Sequence, residues 1–205
     1  DDEARITYTA TRHEFDDLPD HYLVMDIGGG STEFIYGNGL ESSFAVSVNI
    51  GSVRLTEQFI SGDPPDPPDL ERIRNQIRSR LKEDLGSLCL SPDHTTLIGV
   101  AGTVTTLLAV EKQMEEYIPE HIHRQPMTFA QVEWVLALFA SLPYEQRKEL
   151  PGLQPQRADV IIAGTLILLE TMDYFGFSRL LVSDRGVRYG LIYEYLESVR
   201  NGEDK

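Results

Sequence analysis

Asp26-Ile-Gly-Gly-Gly-Ser-Thr-Glu33 (DIGGGSTE) closes an apolar run, His21 to Ile27 (HYLVMDI), and opens a second one at Thr32. Two strands joined by three consecutive glycines predict a turn whose backbone amides converge without Cβ obstruction. A plain tight hairpin needs one or two glycines, whereas three carry an entropy cost with no folding benefit. Gly28, Gly29 and Gly30, with the Ser31 and Thr32 hydroxyls, are therefore candidate donors to phosphate oxygens. If Ile27 pairs with Thr32 across the turn, Asp26 lies opposite Glu33. Like charges facing each other across a ladder are destabilising, and a divalent cation between them would remove the penalty. Their hard oxygens favour Mg²⁺.

Outward from the turn, Asn38-Gly39 signals a hairpin and 42–48 a third strand, which completes a three-strand meander. A helix over 51–60 follows, with Val53, Leu55 and Phe59 at core spacing. SGDPPDPPD (61–69) then breaks the chain. Asp69 is the predicted cap of an amphipathic helix running to about Leu88, with Leu70, Ile73, Ile77, Leu81 and Leu85 at three- and four-residue steps. A strand over 95–101 leads into a helix over 104–114. Residues 115–127 read as loop, and Thr128 precedes a helix to about Ser141. The stretch 158–175 predicts a central helix apolar on most sides, 179–183 a short strand and 186–199 a last helix. Residues 1–14 suit strand or helix.

Two further glycine-bearing turns follow strands, Gly102-Thr103 and Ser183-Asp184-Arg185-Gly186, and one shared cleft is the expectation. His121 and His123 read as surface residues, and Tyr8, Tyr22 and Trp134 as packing residues. The basic run Arg72, Arg74, Arg78, Arg80 and Lys82, interleaved with Glu71, Glu83 and Asp84, reads as a solvated helix face. No Ser-His-Asp order or cysteine nucleophile setting stands out.

The chain has 205 residues, with 33 Asp and Glu against 18 Lys and Arg, a formal net charge of −15 and one cysteine. That length suits one domain with a full core or two small ones. The acidity argues against broad nucleic-acid binding. Cys89 alone excludes an internal disulfide and favours a reducing, cytoplasmic setting. The most apolar run, 160–169, is too short to span a bilayer, so neither DNA nor membrane is an expected partner. The chain opens on Asp1 rather than a methionine, and residues upstream are expected.

Three strands in a meander, then helix, strand, helix, strand, helix, describe an α/β fold with a mixed five-stranded sheet flanked by helices. That order matches the ribonuclease H-like half of the actin, sugar-kinase and Hsp70 superfold. Five stretches in series carry a more specific likeness: DIGGGSTE (26–33), GSVRLTEQF (51–59), GVAGTVTTL (99–107), LPGLQPQRADVIIAG (150–164) and SDRGVRYGLIYE (183–194). Together they strongly resemble the exopolyphosphatase / guanosine pentaphosphate phosphohydrolase family, from residue 1 to about residue 197. The triple glycine alone would also fit actin-like kinases.

The resemblance implies two actin-like domains with the active site between them, of which this chain is the second. Residues 1–14 would be the crossover from a missing N-terminal domain, 15–200 the second actin-like domain and 201–205 a tail. The family's catalytic glutamate lies in a segment ending Glu-Glu-Ala-Arg. Here Asp1-Asp2-Glu3-Ala4-Arg5 places Glu3 at that position, with Asp2 in place of the preceding glutamate. The phosphate motif falls on Gly28, Gly29, Gly30, Ser31 and Thr32, with Gly102, Thr103 and Arg54 as further phosphate contacts. Asp26 and Glu33 would be the metal-associated acids for Mg²⁺ or another divalent cation. Arg185 and Arg188 are weaker candidates for other phosphates. The family's Asp-x-Gly-Ser-Asn-Ser loop belongs to the first domain and is absent from these residues, as is the helical C-terminal extension of long members.

The implied activity is removal of terminal phosphate from inorganic polyphosphate, with cleavage of the 5′-γ-phosphate of guanosine pentaphosphate as the alternative. Further alternatives are an ATP-dependent kinase or ATPase and a non-catalytic nucleotide-sensing module of the same superfold. The isolated piece is expected to be nearly inactive. Its expected partners are the substrate, the missing domain and a second copy in a homodimer.

Overall fold

The computed structural model describes residues 2–15, 17, 21–38 and 41–200; the side chains of residues 2–4, 41, 194, 197 and 200 lie outside that description. Its elements in chain order are α1 (Asp2–Glu14), β1 (His21–Ile27), β2 (Thr32–Asn38), β3 (Glu41–Val48), α2 (Ser52–Phe59), α3 (Pro67–Leu85), β4 (Thr95–Val100) and α4 (Ala101–Glu111). They continue with β5 (Gln125–Thr128), α5 (Phe129–Ser141), the single turn α6 (Tyr144–Arg147), α7 (Ile161–Phe175), β6 (Arg179–Ser183) and α8 (Val187–Arg200).

The strands form one mixed sheet in the order β3-β2-β1-β4-β6-β5. The meander is antiparallel, whereas β1, β4 and β6 run parallel. Their C-terminal ends, and the turns that follow them, thus share one edge of the sheet. The sheet has six strands rather than the expected five, because Gln125–Thr128 pairs antiparallel with β6. Pro126 hides this strand from a reading by composition. Proline cannot donate to a ladder and is tolerated only where one side needs no partner, which is the outer edge β5 occupies.

Alternation along β1 sends Leu23, Met25 and Ile27 to one face and Tyr22 and Val24 to the other. The first face carries the main core, filled by Leu55 of α2, Ile73 and Ile77 of α3, Leu107 of α4, Phe139 of α5 and Leu166 of α7. On the opposite face Tyr8 of α1, and Phe15 immediately after that helix, cover Tyr22, Val24, Ile35, Ile98 and Val100. The layers are therefore helix, sheet, helix, the α/β architecture read from the element order. Residues 2–14 adopt the helical option, since α1 needs an apolar stripe for this second face. The central helix α7 is buried from Ile161 through Met172.

Other boundaries move for identifiable reasons. Asp69 does not cap α3. Asp66 occupies the N-cap and Pro67 the first helical position, where proline's fixed φ and missing N–H fit the first turn. The Asp69 carboxylate instead accepts from the Ser61 amide and hydroxyl. The same helix ends at Leu85. Helix α4 starts at Ala101, three residues early, and α7 at Ile161, three residues late. Both are buried on nearly every side, so no amphipathic phase marks their starts. Thr128 does cap α5, in a reciprocal capping box with Gln131.

Arg74 and Arg78 are not part of a merely solvated face, since both reach Glu170 of α7, 1% exposed. Trp134 and Val53 are exposed, not packed. Among the described residues no helix is long and apolar enough to cross a membrane.

Candidate functional site

The register pairs Ile27 with Thr32 and Asp26 with Glu33, as the turn length requires. The intervening glycines do not form a free-standing hairpin tip. The Gly28 amide closes the turn on the Ser31 carbonyl at 2.9 Å, and the start of α2 is strapped to the loop. Ser52 N donates to Gly28 O at 2.9 Å, Arg54 N to Gly29 O at 3.0 Å and Arg54 Nε to Gly30 O at 2.8 Å. With these carbonyls engaged, the amides of Gly29, Gly30 and Ser31 have no protein acceptor among the described residues. Gly29 and Gly30 are exposed, so their donors are open to a ligand.

This strapping depends on Gly51. A Cβ there would lie 2.4 Å from the Gly29 carbonyl oxygen and 2.5 Å from the Gly29 and Gly30 carbonyl carbons. Only a residue without Cβ lets α2 begin against the turn. A lone glycine ahead of a helix is too common a feature to reveal this from sequence.

Both hydroxyls expected as phosphate donors are spent locally. Thr32 is fully buried on the core face, and its Oγ1 donates to Ile50 O at 2.6 Å. Ser31 Oγ donates to Glu33 Oε1 at 2.6 Å, where Ser47 Oγ also donates at 2.8 Å. The hydroxyls therefore brace the turn and orient Glu33, which leaves the amides as the donors.

Asp26 neighbours Val100 across the parallel β1–β4 pair, and the second turn stands beside the first. There Ala101 adopts φ 64°, the left-handed region, at the point where strand passes into helix without an intervening loop. No side chain caps α4, so its first amides remain donors. Thr103 is buried, and its hydroxyl donates to Ile27 O at 3.4 Å. The two turns open into one cleft of about 480 Å³ lined by Asp26, Gly28, Gly29, Ser52, Gly102 and Thr103, with Gln154, Gln156 and Arg157 on the far wall. Arg157 lies directly over Gly102, and its Nε donates to Gln154 Oε1 at 3.1 Å. These three residues carried no assigned role in the sequence. The signal available was a proline-bracketed loop leading into a mostly apolar helix.

Arg54 borders a second, shallow groove of about 610 Å³ with Gly29, Gly30 and Glu57. The third turn does not join the cleft. Ser183 Oγ bonds within the turn to Arg185, the Tyr117 hydroxyl donates to Asp184, and Arg185 pairs with Glu14. His123 is not a surface residue either, since it lies half-buried against Glu14. Arg188 is exposed on α8, away from the cleft lining. Glu3 sits in the first turn of α1, and its side chain lies outside the described residues. Helix α1 packs on the face that holds Val24 and Ile35, and Asp26 and Glu33 follow those residues by strand alternation.

The carboxylates Asp26 and Glu33 offer only hard oxygens, a donor set that suits a divalent cation. No group of three or more His, Cys, Asp or Glu side chains converges among the described residues. The cleft thus combines unpaired amides, an uncapped helix N-terminus and an arginine beside a facing pair of acids, which is chemistry for an anion together with a cation.

Residues 1–199 match the model of the Ppx/GppA phosphatase family. Over 97% of its length the chain is 41% identical to a bifunctional 3-dehydroquinate synthase/phosphatase of Fusobacterium nucleatum. Over 93% it is 31% identical to exopolyphosphatase 2 of Mycobacterium tuberculosis. It spans 30% of the first protein and 60% of the second. Among solved structures it superposes on an Aquifex aeolicus Ppx/GppA family member with a TM-score of 0.87 and 33% identity, covering 96% of this chain and 63% of that one.

Proposed function

The chain belongs to the Ppx/GppA phosphatase family, and from that membership and the cleft we propose that it is the C-terminal part of a phosphoanhydride hydrolase. Its substrate in this reading is inorganic polyphosphate, from which it removes the terminal phosphate. The observation that carries the proposal is the set of acceptor-free amides at Gly29, Gly30 and Ser31, held by α2 beside the uncapped start of α4.

In the mechanism, the amides of residues 29–31 bind the oxygens of the transferring phosphoryl group. Because they are fixed by α2, they need no reorganisation as charge develops. The first-turn amides of α4 and the Arg157 guanidinium hold the next phosphate, and Arg54 meets the chain where it leaves the cleft. Glu3 orients a water in line with the terminal phosphorus and accepts its proton on the carboxylate as the P–O bond to the leaving phosphate breaks. Asp26 and Glu33 would hold a divalent cation, Mg²⁺ by donor type, which supplies charge neutralisation when bound. Ser31 and Ser47 restrict Glu33 to one orientation for that purpose.

A terminal phosphate needs walls on more than one side. The 480 Å³ cleft is open, and an N-terminal domain preceding α1 would supply the remaining wall. Residues 1–14 serve as the crossover from that domain in this reading. A reducing cytoplasm suits the exposed free thiol of Cys89.

The test is phosphate release from polyphosphate by the full-length protein, with guanosine pentaphosphate and ATP in parallel. Wild-type protein should release phosphate from polyphosphate. Glu3→Gln should lower kcat by roughly 10²–10⁴-fold with KM little changed, the range of a positioned general base. Preference for guanosine pentaphosphate or ATP would refute the substrate class, and wild-type turnover in Glu3→Gln would remove that residue from the base role.

A further inference from the structure

Helix α1 carries Glu3 in its first turn and is pinned at its other end by a polar network that none of the roles above uses. Glu14, its last residue, is 8% exposed. Its carboxylate accepts from Arg185 Nη1 at 2.6 Å to each oxygen and from the Tyr193 hydroxyl, and it lies 3.2 Å from His123 Nε2. The Glu14 carbonyl accepts from Arg124 Nη1 at 3.0 Å, and the Phe15 carbonyl accepts from the Tyr22 hydroxyl at 2.9 Å. These donors come from β1, from the segment entering β5, from the turn after β6 and from α8.

A buried carboxylate with so many partners is weak evidence for stability, because desolvation offsets most of the attraction. What such a network does supply is a single geometry. The other contact along the helix points the same way. A Cβ on Gly190 would lie 2.1 Å from the Ile6 carbonyl oxygen, so the α8 backbone lies directly against the N-terminal half of α1.

Glu3 precedes Glu14 by eleven residues, a lever of about 16 Å, so a rotation of about 4° at the pinned end displaces the first turn by about 1 Å. A displacement of about 1 Å in a reacting group can cost about 10²-fold in rate. We infer that the Glu14–Arg185 pair, backed by Tyr193 and His123, is a positioning latch. It aims α1, and with it Glu3, at the cleft formed by the two turns. This inference rests on the reading of Glu3 as the base.

The test uses the full-length protein and two variants. Glu14→Gln keeps the shape and removes the charge, whereas Arg185→Lys keeps the charge and removes the two-oxygen contact. For Glu14→Gln the expected result is a kcat for polyphosphate about 10–100-fold lower, with KM within about twofold of wild type. Deuterium uptake at the amides of residues 6–12 should be about tenfold faster, while strands 21–27 and 95–100 exchange as before. Arg185→Lys should fall between wild type and Glu14→Gln on both readouts.

Faster exchange in α1 with unchanged kcat would make the network an anchor only and overturn the inference. Unchanged exchange would overturn it whatever the kinetics. If Glu14→Gln does not fold, Arg185→Lys decides by the same criteria. A wild-type protein that releases no phosphate sinks the base reading instead, and α1 exchange then still judges the latch separately.

Discussion

Gly51→Ala is the most informative single substitution, because its effect isolates one backbone approach. Gly51 has φ −138° and ψ 156°, a conformation alanine adopts freely, so the new methyl group acts only through what it meets. It would meet the Gly29 carbonyl oxygen at 2.4 Å and two carbonyl carbons at 2.5 Å. An ordinary carbon–oxygen contact is about 3.3 Å, so a gap of about 0.9 Å must open between α2 and the turn. No rotamer change can relieve it, since both partners are main chain. The straps from Ser52 N, Arg54 N and Arg54 Nε, now 2.8–3.0 Å, would lengthen past the limit of a useful hydrogen bond.

Overpacking of this kind costs about 1–3 kcal/mol, and each lost strap about 0.5–1.5 kcal/mol net. The low end of that sum, about 3 kcal/mol, already corresponds to a fall in Tm of roughly 6–12 °C for a domain of this size. The larger consequence is chemical. The donors at Gly29, Gly30 and Ser31 lose their fixed position, and a shift of about 1 Å should lower kcat by about 10²-fold. Thermal unfolding and phosphate release from polyphosphate by the full-length protein measure the two effects. Gly186→Ala serves as control, since a Cβ there meets nothing within 4 Å. If Gly51→Ala matches that control in both Tm and kcat, α2 does not hold the turn and the reasoning is wrong.

Two further outcomes are expected. Replacing both Arg74 and Arg78 by methionine strands the carboxylate of Glu170, 1% exposed, and should cost about 3–5 kcal/mol in urea unfolding. Glu170→Gln should cost less, because the arginine heads, 26% and 48% exposed, can turn to water; equal losses would contradict this asymmetry. Burial, and after it the Arg185 guanidinium, holds the His123 imidazole below its ordinary value, with the Glu14 carboxylate opposing them. The unfolded chain therefore binds that proton more tightly, and the His123 contribution is complete above about pH 6.5 and lost as pH falls toward the folded value. His123→Gln should flatten the loss of stability between about pH 7 and pH 5 relative to wild type; identical slopes would remove His123 from the balance.

The parts of this protein legible in its sequence are those whose physics is local. Alternation in HYLVMDI, the triple glycine and the following strand set the meander and its register, because pairing across a short turn leaves one alignment that buries Leu23 and Phe34. That alignment makes Asp26 face Glu33. The capping box at Thr128 and the proline-broken segment before α3 are local in the same sense. Local readings failed where position within the sheet decides, as at Pro126, which forms a strand only because β5 has an empty outer side.

The cleft itself required the tertiary structure. Gly28, Gly102 and Arg157 follow one another at intervals of 74 and 55 residues along the chain, and neither periodicity nor spacing relates them. They meet because β1 and β4 are parallel neighbours and the loop before α7 folds over their ends. The same geometry separates residues that looked equivalent. Gly102-Thr103 and Ser183-Asp184 have the same strand-to-helix setting, yet the second turn is closed by Tyr117 and by the Glu14 network. By itself the sequence determined which residues could bind an anion. Long-range packing, which sets whose hydrogen-bonding groups are left unpaired at a shared edge, decided which of them line one cleft.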